Sequence, residues 1–284
     1  MKYRDYIDQC NRHELADFIP LTFGQHKLGY LRKPFARTIA AWDDLFRVTA
    51  TKVELIARGD AIDERSRPWN QMLQELVTQG VLEYLTGEPY PVTPAGRDQT
   101  LFVIDRAAAP LFGVRAFGQH INGFVRAADG LQLWVGKRSA DRRNFPGKLD
   151  HLVAGGLPYA VSLEANLVKE CWEEAGIPAD LARRAVPTGV VTYVAESSRG
   201  LKPDTLFCYD LELPAGFKPH CTDGEVEAFE LWPLEQVMKV LQIGPSFKLN
   251  CNLVIIDFLI RHGYISPDHE DYLYLVNGLH PPLP

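Results

Sequence analysis

No stretch of this chain stays apolar for the roughly 18 residues that a membrane-spanning helix requires. The opening Met1-Lys2-Tyr3-Arg4-Asp5-Tyr6-Ile7-Asp8 lacks the apolar core of a secretory signal. Neither a membrane protein nor a secreted one is expected. Cysteine is scarce as well: five residues, at positions 10, 171, 208, 221 and 251, with no Cys-x-x-Cys pair. That pattern excludes a disulfide framework and a zinc-ribbon site, and it fits a reducing compartment, the cytoplasm being the expected one. Basic charge is in deficit, with 30 lysines and arginines against 36 acidic residues and a net charge of -6. A surface devoted to polyanions is thereby disfavoured. Nucleic acid is not an expected partner, and any phosphate must be met by local charges or by a metal. Repeats and low-complexity tracts are missing too, so domain limits rest on turn clusters and changes of periodicity.

What is present is an ordinary globular composition over 284 residues, enough for two domains at about 100 to 200 residues each. Residues 1–111 read as a smaller α+β domain, with an amphipathic opening helix, a strand pair over 18–32 and a helix over 68–79. Residues 112–245 alternate strands and helices as one α/β domain. Its first hairpin joins strands at 119–126 and 131–137 through the turn Ala127-Ala128-Asp129-Gly130. Later strands are expected at 189–195, 206–213 and 225–232. Residues 246–284 carry an apolar helix over 253–264, too short to span a membrane and suited to packing as a helical extension on the middle domain.

The most informative stretch runs from Gly155-Gly156 to Lys169-Glu170-Cys171-Trp172-Glu173-Glu174-Ala175-Gly176-Ile177. A buried-type strand from Asp150 ends in the glycine pair, Ser162 offers a helix N-cap, and Leu163, Leu167 and Cys171 recur with helical period. Gly176 and Pro178 then stop the helix. Glu170, Glu173 and Glu174 stand at i, i+3 and i+4, on one face. Like charges so placed destabilise a helix by about 0.2–0.5 kcal/mol per pair. A cation between them reverses the sign, and a hard divalent metal with oxygen ligands is the natural one.

These residues resemble the Nudix box, G-x5-E-x7-R-E-U-x-E-E-x-G-U with U aliphatic. Gly155, Glu170, Glu173, Glu174, Gly176 and Ile177 fall on the pattern, and Cys171 fills an aliphatic slot as a small hydrophobe. Val161 replaces the first glutamate and Lys169 the arginine, the pair that braces the metal-binding helix in the family. Lysine lacks the planar fork of arginine, and Glu164 is the nearby carboxylate that would substitute as brace. Further phrases extend the likeness: G-Y-L-R at 29–32, F-G-Q-H-I-N-G-F at 117–124, F-P-G-K-L-D at 145–150 and F-L-I-R-H-G-Y-I at 258–265. They resemble the thiamine-pyrophosphokinase-related Nudix proteins, a subgroup with an extra N-terminal domain. The resemblance implies a Nudix α/β/α sandwich with a mixed sheet, preceded by a smaller α+β domain. It also implies a Nudix pyrophosphohydrolase using Mg²⁺ or Mn²⁺ to cleave thiamine diphosphate, or its damaged analogues, to the monophosphate. A Nudix hydrolase of nucleoside diphosphate derivatives is the alternative enzyme.

In that reading Glu170, Glu173 and Glu174 hold the metal. One carboxylate accepts the proton of the attacking water, either from the box helix (Glu173, Glu174) or from the turn Asp223-Gly224-Glu225-Val226-Glu227, where Glu225 ranks ahead of Glu227. Arg138 leads the basic residues as a phosphate contact. His120 and Asn122, alternating on an apolar strand, are placed to hydrogen-bond an organic group, and Gly155 and Gly156 line the substrate. Lys169 and Asp150 are supports, Asp150 by ordering the glycine loop. The expected partner is a small-molecule diphosphate, with a homodimer left open. The rival class is a ligand sensor whose winged helix binds DNA, since 67–92 reads as helix then wing. Against it, residues 1–110 carry 14 basic and 15 acidic side chains, without the positive footprint that dominates DNA affinity.

Overall fold

The computed structural model describes residues 1–56 and 58–284. Its opening helix α1 (Tyr3–Cys10) buries Tyr3, Tyr6, Ile7 and Cys10 against the carboxy-terminal helices, and the Tyr6 hydroxyl donates to Leu241 O at 2.6 Å. A separate core follows. Strands β1 (Phe18–Phe23) and β2 (His26–Arg32), helix α2 (Lys33–Ile39), and strands β3 (Phe46–Val48) and β4 (Val53–Leu55) form a four-stranded sheet in the order β2-β1-β4-β3. Helix α3 (Ile62–Thr78) and the hairpin β5 (Pro89–Val92) with β6 (Phe102–Asp105) close it around Phe46, Trp69, Phe102 and Phe112. The helix starts six residues ahead of the expected 68–79 because Glu64 accepts the backbone N–H groups of Asp60 and Ala61 at 3.0 and 3.3 Å. That cap satisfies donors that a start at Pro68 would leave to solvent.

After the short helix α4 (Ala109–Phe112) the chain enters a seven-stranded mixed sheet. Its strands are β7 (Ala116–Ala127), β8 (Gly130–Arg138), β9 (Leu149–Asp150), β10 (Val153–Gly156), β11 (Val186–Ser197), β12 (Gly200–Glu212) and β13 (Val226–Pro233). The order is β11-β12-β7-β8-β13, with β12 parallel to β7 and the hairpins antiparallel. The long hairpin strands β7 and β8 pair only from Phe124 and Leu133 to the turn, then part. Into the opening come β10, paired with Gly118–Ile121 of β7, and β9, paired with Gly136 and Lys137 of β8.

Alternation sorts the side chains into two layers. Ile121, Val125 and Leu211 face helices α5 (Leu163–Ala175) and α6 (Ala179–Ala182). Phe124, Leu133 and Cys208 face the opposite layer of α1, α7 (Leu234–Ile243), α8 (Leu249–Arg261) and α9 (Tyr272–Gly278). Helix α8 buries most of its circumference because α1 and α9 cover the flank that the sheet leaves open, with Asp257 and Arg261 paired on its remaining side. The result is an α/β/α sandwich behind an N-terminal α+β unit, and among the described residues no helix is long and apolar enough to cross a membrane.

Candidate active site

The glutamate helix α5 is bounded as its sequence dictates. Ser162 Oγ accepts the Ala165 N–H at 3.1 Å. At the other end Gly176 adopts φ 61°, which lets Ile177 N donate to Cys171 O at 3.0 Å. Leu167, Cys171 and Ala175 bury the inner stripe against the sheet, which turns Glu170 and Glu174 toward β10 and leaves Glu173 on the exposed rim with Lys169. Glu174 is 7% exposed and its Oε2 accepts the Ala154 N–H at 2.8 Å. Burial pushes its pKa up to about 8, and burial likewise raises that of Glu170. Lys169 lies along the rim of the cluster, its Nζ 3.2 Å from Glu170 Oε1 and 2.6 Å from Glu173 Oε2. It therefore acts as a point charge on two of the carboxylates.

The glycine pair leaves room for this cluster. A Cβ on Gly155 would fall on the Glu170 carboxyl, 2.6 Å from Oε2. We expect Gly155→Ala to leave the melting temperature nearly unchanged, since a flexible side-chain end can swing aside. Moving a carboxylate of the cluster out of register should nonetheless lower kcat/KM by roughly 10- to 100-fold. Wild-type turnover in this variant would mean that Glu170 does not need its observed position.

The loop after β12 closes over the end of α5. Thr222 N donates to Glu173 O at 2.9 Å and His220 N to Ala175 O at 3.1 Å. Glu225 is ion-paired with Arg142, and its charge is felt at Glu170. Glu227 instead pairs with Lys137 at 3.1 Å across β13 and β8. Of the two turn carboxylates, Glu225 is the one beside the cluster.

Three of the expected substrate contacts lie elsewhere. His120 and Asn122 are 3% and 1% exposed and point away from α5, because Ile121 and Val125 of the same strand take the α5 face. His120 Nδ1 shares a proton with His151 Nδ1 at 2.9 Å, and Asn122 Nδ2 donates to Asp210 at 3.1 Å. Burial pushes the pKa of His151 down to about 4 and that of His120 downward too, so both imidazoles are neutral near pH 7. Arg138, 7% exposed, is spent on Asp150 at 2.7 Å and on the carbonyls of Asn144 and Phe145 at 3.0 and 3.2 Å. It secures the loop after β8 and is not free for phosphate. Asp150 also receives the Cys251 thiol at 2.7 Å and Lys248 Nζ at 3.5 Å, which ties the strand before the glycine pair to α8.

Residues from the N-terminal unit reach the site with no local signal in the sequence. Arg97 Nη2 donates to the carbonyls of Pro158 and Val161 at 2.7 and 2.8 Å. It fastens the loop where Val161 offers no carboxylate, while Glu164 is turned outward to Arg183 at 2.8 Å. Tyr90 and Arg106 lie against Gly156: a Cβ there would fall on the Tyr90 hydroxyl and 3.5 Å from Arg106 Nη1.

A mixed sheet between two helical layers, with a glycine strand pressed against a helix bearing three clustered carboxylates, defines a NUDIX domain, and residues 118–248 match that domain family. Residues 2–116 match a domain of unknown function, DUF4743. The chain is 43% identical over 281 residues to Nudix hydrolase 24, chloroplastic, of Arabidopsis thaliana, covering 98% of this chain and 77% of that protein. It is 42% identical over 284 residues to Nudix hydrolase 20, chloroplastic, of the same plant, covering 96% and 76%. An uncharacterized protein of Saccharomyces cerevisiae is 32% identical over 261 residues, covering 86% and 75%. The chain belongs to the Nudix hydrolases, as a pyrophosphohydrolase acting on a nucleoside-diphosphate-linked or pyrophosphate substrate.

Proposed function

We propose that the chain hydrolyses the diphosphate linkage of a small organic diphosphate with Mg²⁺ or Mn²⁺ held by Glu170, Glu173 and Glu174. The observation that carries this reading is the gathering of the three carboxylates beside the glycine strand: Glu170 against Gly155, Glu173 joined to it through Lys169, and buried Glu174 with the Ala154 N–H aimed at its Oε2. An all-oxygen donor set of this kind fits a hard divalent cation. When bound, such a cation neutralises diphosphate charge and lowers the pKa of a water. The remaining tasks belong to the chain's own side chains. Glu174 is oriented through its Ala154 bond, Lys169 screens Glu170 from Glu173, and Glu225 is the carboxylate proposed to accept the water's proton at its free oxygen.

Thiamine diphosphate and its oxidised analogues are the substrates proposed first, on the sequence phrases shared with the thiamine-pyrophosphokinase-related subgroup. The test is a panel of thiamine diphosphate, oxidised thiamine diphosphates, ADP-ribose and nucleoside triphosphates, scored for Mg²⁺-dependent monophosphate release. Preferred cleavage of the nucleotide compounds would replace the thiamine reading with the nucleoside one. Absence of metal-dependent cleavage throughout would sink both. The proposed compartment is a reducing one, the cytoplasm first, because all five cysteines are free and four of them are buried.

A further inference from the structure

Strand β10 has β7 as its one sheet neighbour among the described residues, and its outer edge is met by side chains of α5: Ala154 N donates to Glu174 Oε2 at 2.8 Å, and Gly156 O accepts from Asn166 Nδ2 at 2.9 Å. Glu170 presses on one face of this edge at Gly155. On the other face, at Gly156, stand two residues of the N-terminal unit, Tyr90 and Arg106. A substrate laid along the edge to reach the glutamates would pass between them.

The charges near this edge are unevenly committed. Lys169 is held by Glu170 and Glu173, Arg138 by Asp150, Arg142 by Glu225, and Lys137 by Glu227. Arg143 is drawn to the N-terminal unit, 3.2 Å from Glu83 and stacked 3.8 Å from the Tyr84 ring. Arg106 differs. Its backbone N donates to Glu88 O at 2.9 Å, and Nη1 alone meets both Glu88 carboxylate oxygens at 3.1 Å. Nε and Nη2 make no hydrogen bond among the described residues, and three of the five guanidinium donors reside on them. The group is thus fixed in place by one nitrogen and presents a fork through the other two.

The surroundings are acidic, so an anion is met here only where cations stand beside it. Four carboxylates, Glu170, Glu173, Glu174 and Glu225, crowd the metal side, and the charge of Glu225 is felt at Arg106 as that of Glu170 is at Tyr90. A metal on the glutamates offsets only part of a diphosphate's charge, and the far phosphoryl group needs its own cation. Guanidinium is the side chain that meets phosphate oxygens two at a time.

We infer that Arg106, with the Tyr90 hydroxyl, is a phosphate-binding subsite of the diphosphate substrate, contributed to the Nudix site by the N-terminal domain. The inference rests on the diphosphatase reading for its ligand class and assigns this domain a part in substrate binding. Arg106 is a binding residue in it, with no step of bond breaking.

The test uses the full chain with Mg²⁺ and methylenediphosphonate, a diphosphate that cannot be hydrolysed, in a calorimetric titration. Arg106→Ala should weaken binding at least 10-fold and Arg106→Lys by an intermediate factor, while Arg126→Ala, which removes the remote Arg126–Glu212 pair, stays within twofold. Mn²⁺ affinity, followed by electron paramagnetic resonance, should be unchanged in all of them. With a hydrolysable substrate from the panel, KM should rise more than kcat falls. If Arg106→Ala melts early, Arg106→Lys and Tyr90→Phe carry the test, with at least threefold weakening expected of each. Affinities within twofold of wild type would overturn the subsite, as would failure of the wild type to bind the diphosphonate. Binding that depends on Arg106 in an enzyme that cleaves no diphosphate would keep the subsite and overturn the hydrolase reading.

Discussion

Glu174→Gln should lower kcat/KM by about a thousandfold, near 4 kcal/mol of transition-state stabilisation, while leaving the fold intact. Glutamine keeps an oxygen to accept the Ala154 N–H but brings no charge to a metal. The same variant should alter stability in the metal-free protein. A carboxyl whose folded pKa is about 8, against an ordinary 4.5, binds its proton more tightly folded than unfolded. Its contribution is therefore fully present below about pH 4.5 and is lost as the pH rises through 8. Glu174→Gln removes that slope, so the metal-free variant should melt on the order of 5 °C above wild type at pH 8.5. Steady-state kinetics at saturating Mg²⁺, paired with melting curves at pH 5.5 and 8.5 under chelator, decide the matter. Wild-type turnover in the variant would remove Glu174 from the metal site.

Asp150→Ala should be the most damaging single change to the fold outside the apolar cores, at about 3–5 kcal/mol. Burial resists ionisation of Asp150, yet Lys248 and Arg138 around it prevail and hold its carboxyl well below the usual carboxylate range. Removing it leaves buried Arg138 and half-buried Lys248 without their carboxylate partner, frees the Cys251 thiol, and unties the loop after β8. A group with a depressed folded pKa stabilises above its unfolded value and loses that contribution as pH falls below about 4. Wild type should thus show a steep acid limb that the variant lacks. Chemical denaturation across pH 2.5 to 7 is the measurement. Equal stability of the two proteins at neutral pH would show the buried ion network to be energetically idle.

Much of the architecture is legible locally. The hairpin expected at Ala127-Gly130 is there with a two-residue loop between β7 and β8, because strand alternation and turn residues are short-range properties. Ser162, Gly176 and the apolar stripe of α5 likewise announce that helix from its own residues. The departures share one cause. Alternation shows that His120 and Asn122 are on one face of β7, but which face meets α5 depends on Ile121 and Val125 finding Leu167 and Cys171. Arg138 looks like a free strand-end cation until Asp150, from the next strand, is folded against it. Arg97, Tyr90 and Arg106 lie 50 or more residues before the segments they touch, and no spacing rule spans such a distance.

By itself, then, the sequence determined the chemistry of the centre: three carboxylates on one helical face, a glycine pair ahead of them, and a chain poor in the basic charge that polyanion binding needs. Those are matters of residue type and helical or strand period, which act over a few residues. Only the tertiary structure decided which cations are spent on internal partners and which are left to meet an anion. It likewise decided that Tyr90 and Arg106 of the N-terminal unit stand against Gly156 of β10. Ion pairing and burial are set by groups brought together from distant parts of the chain, and these contacts exist only once the layers have packed.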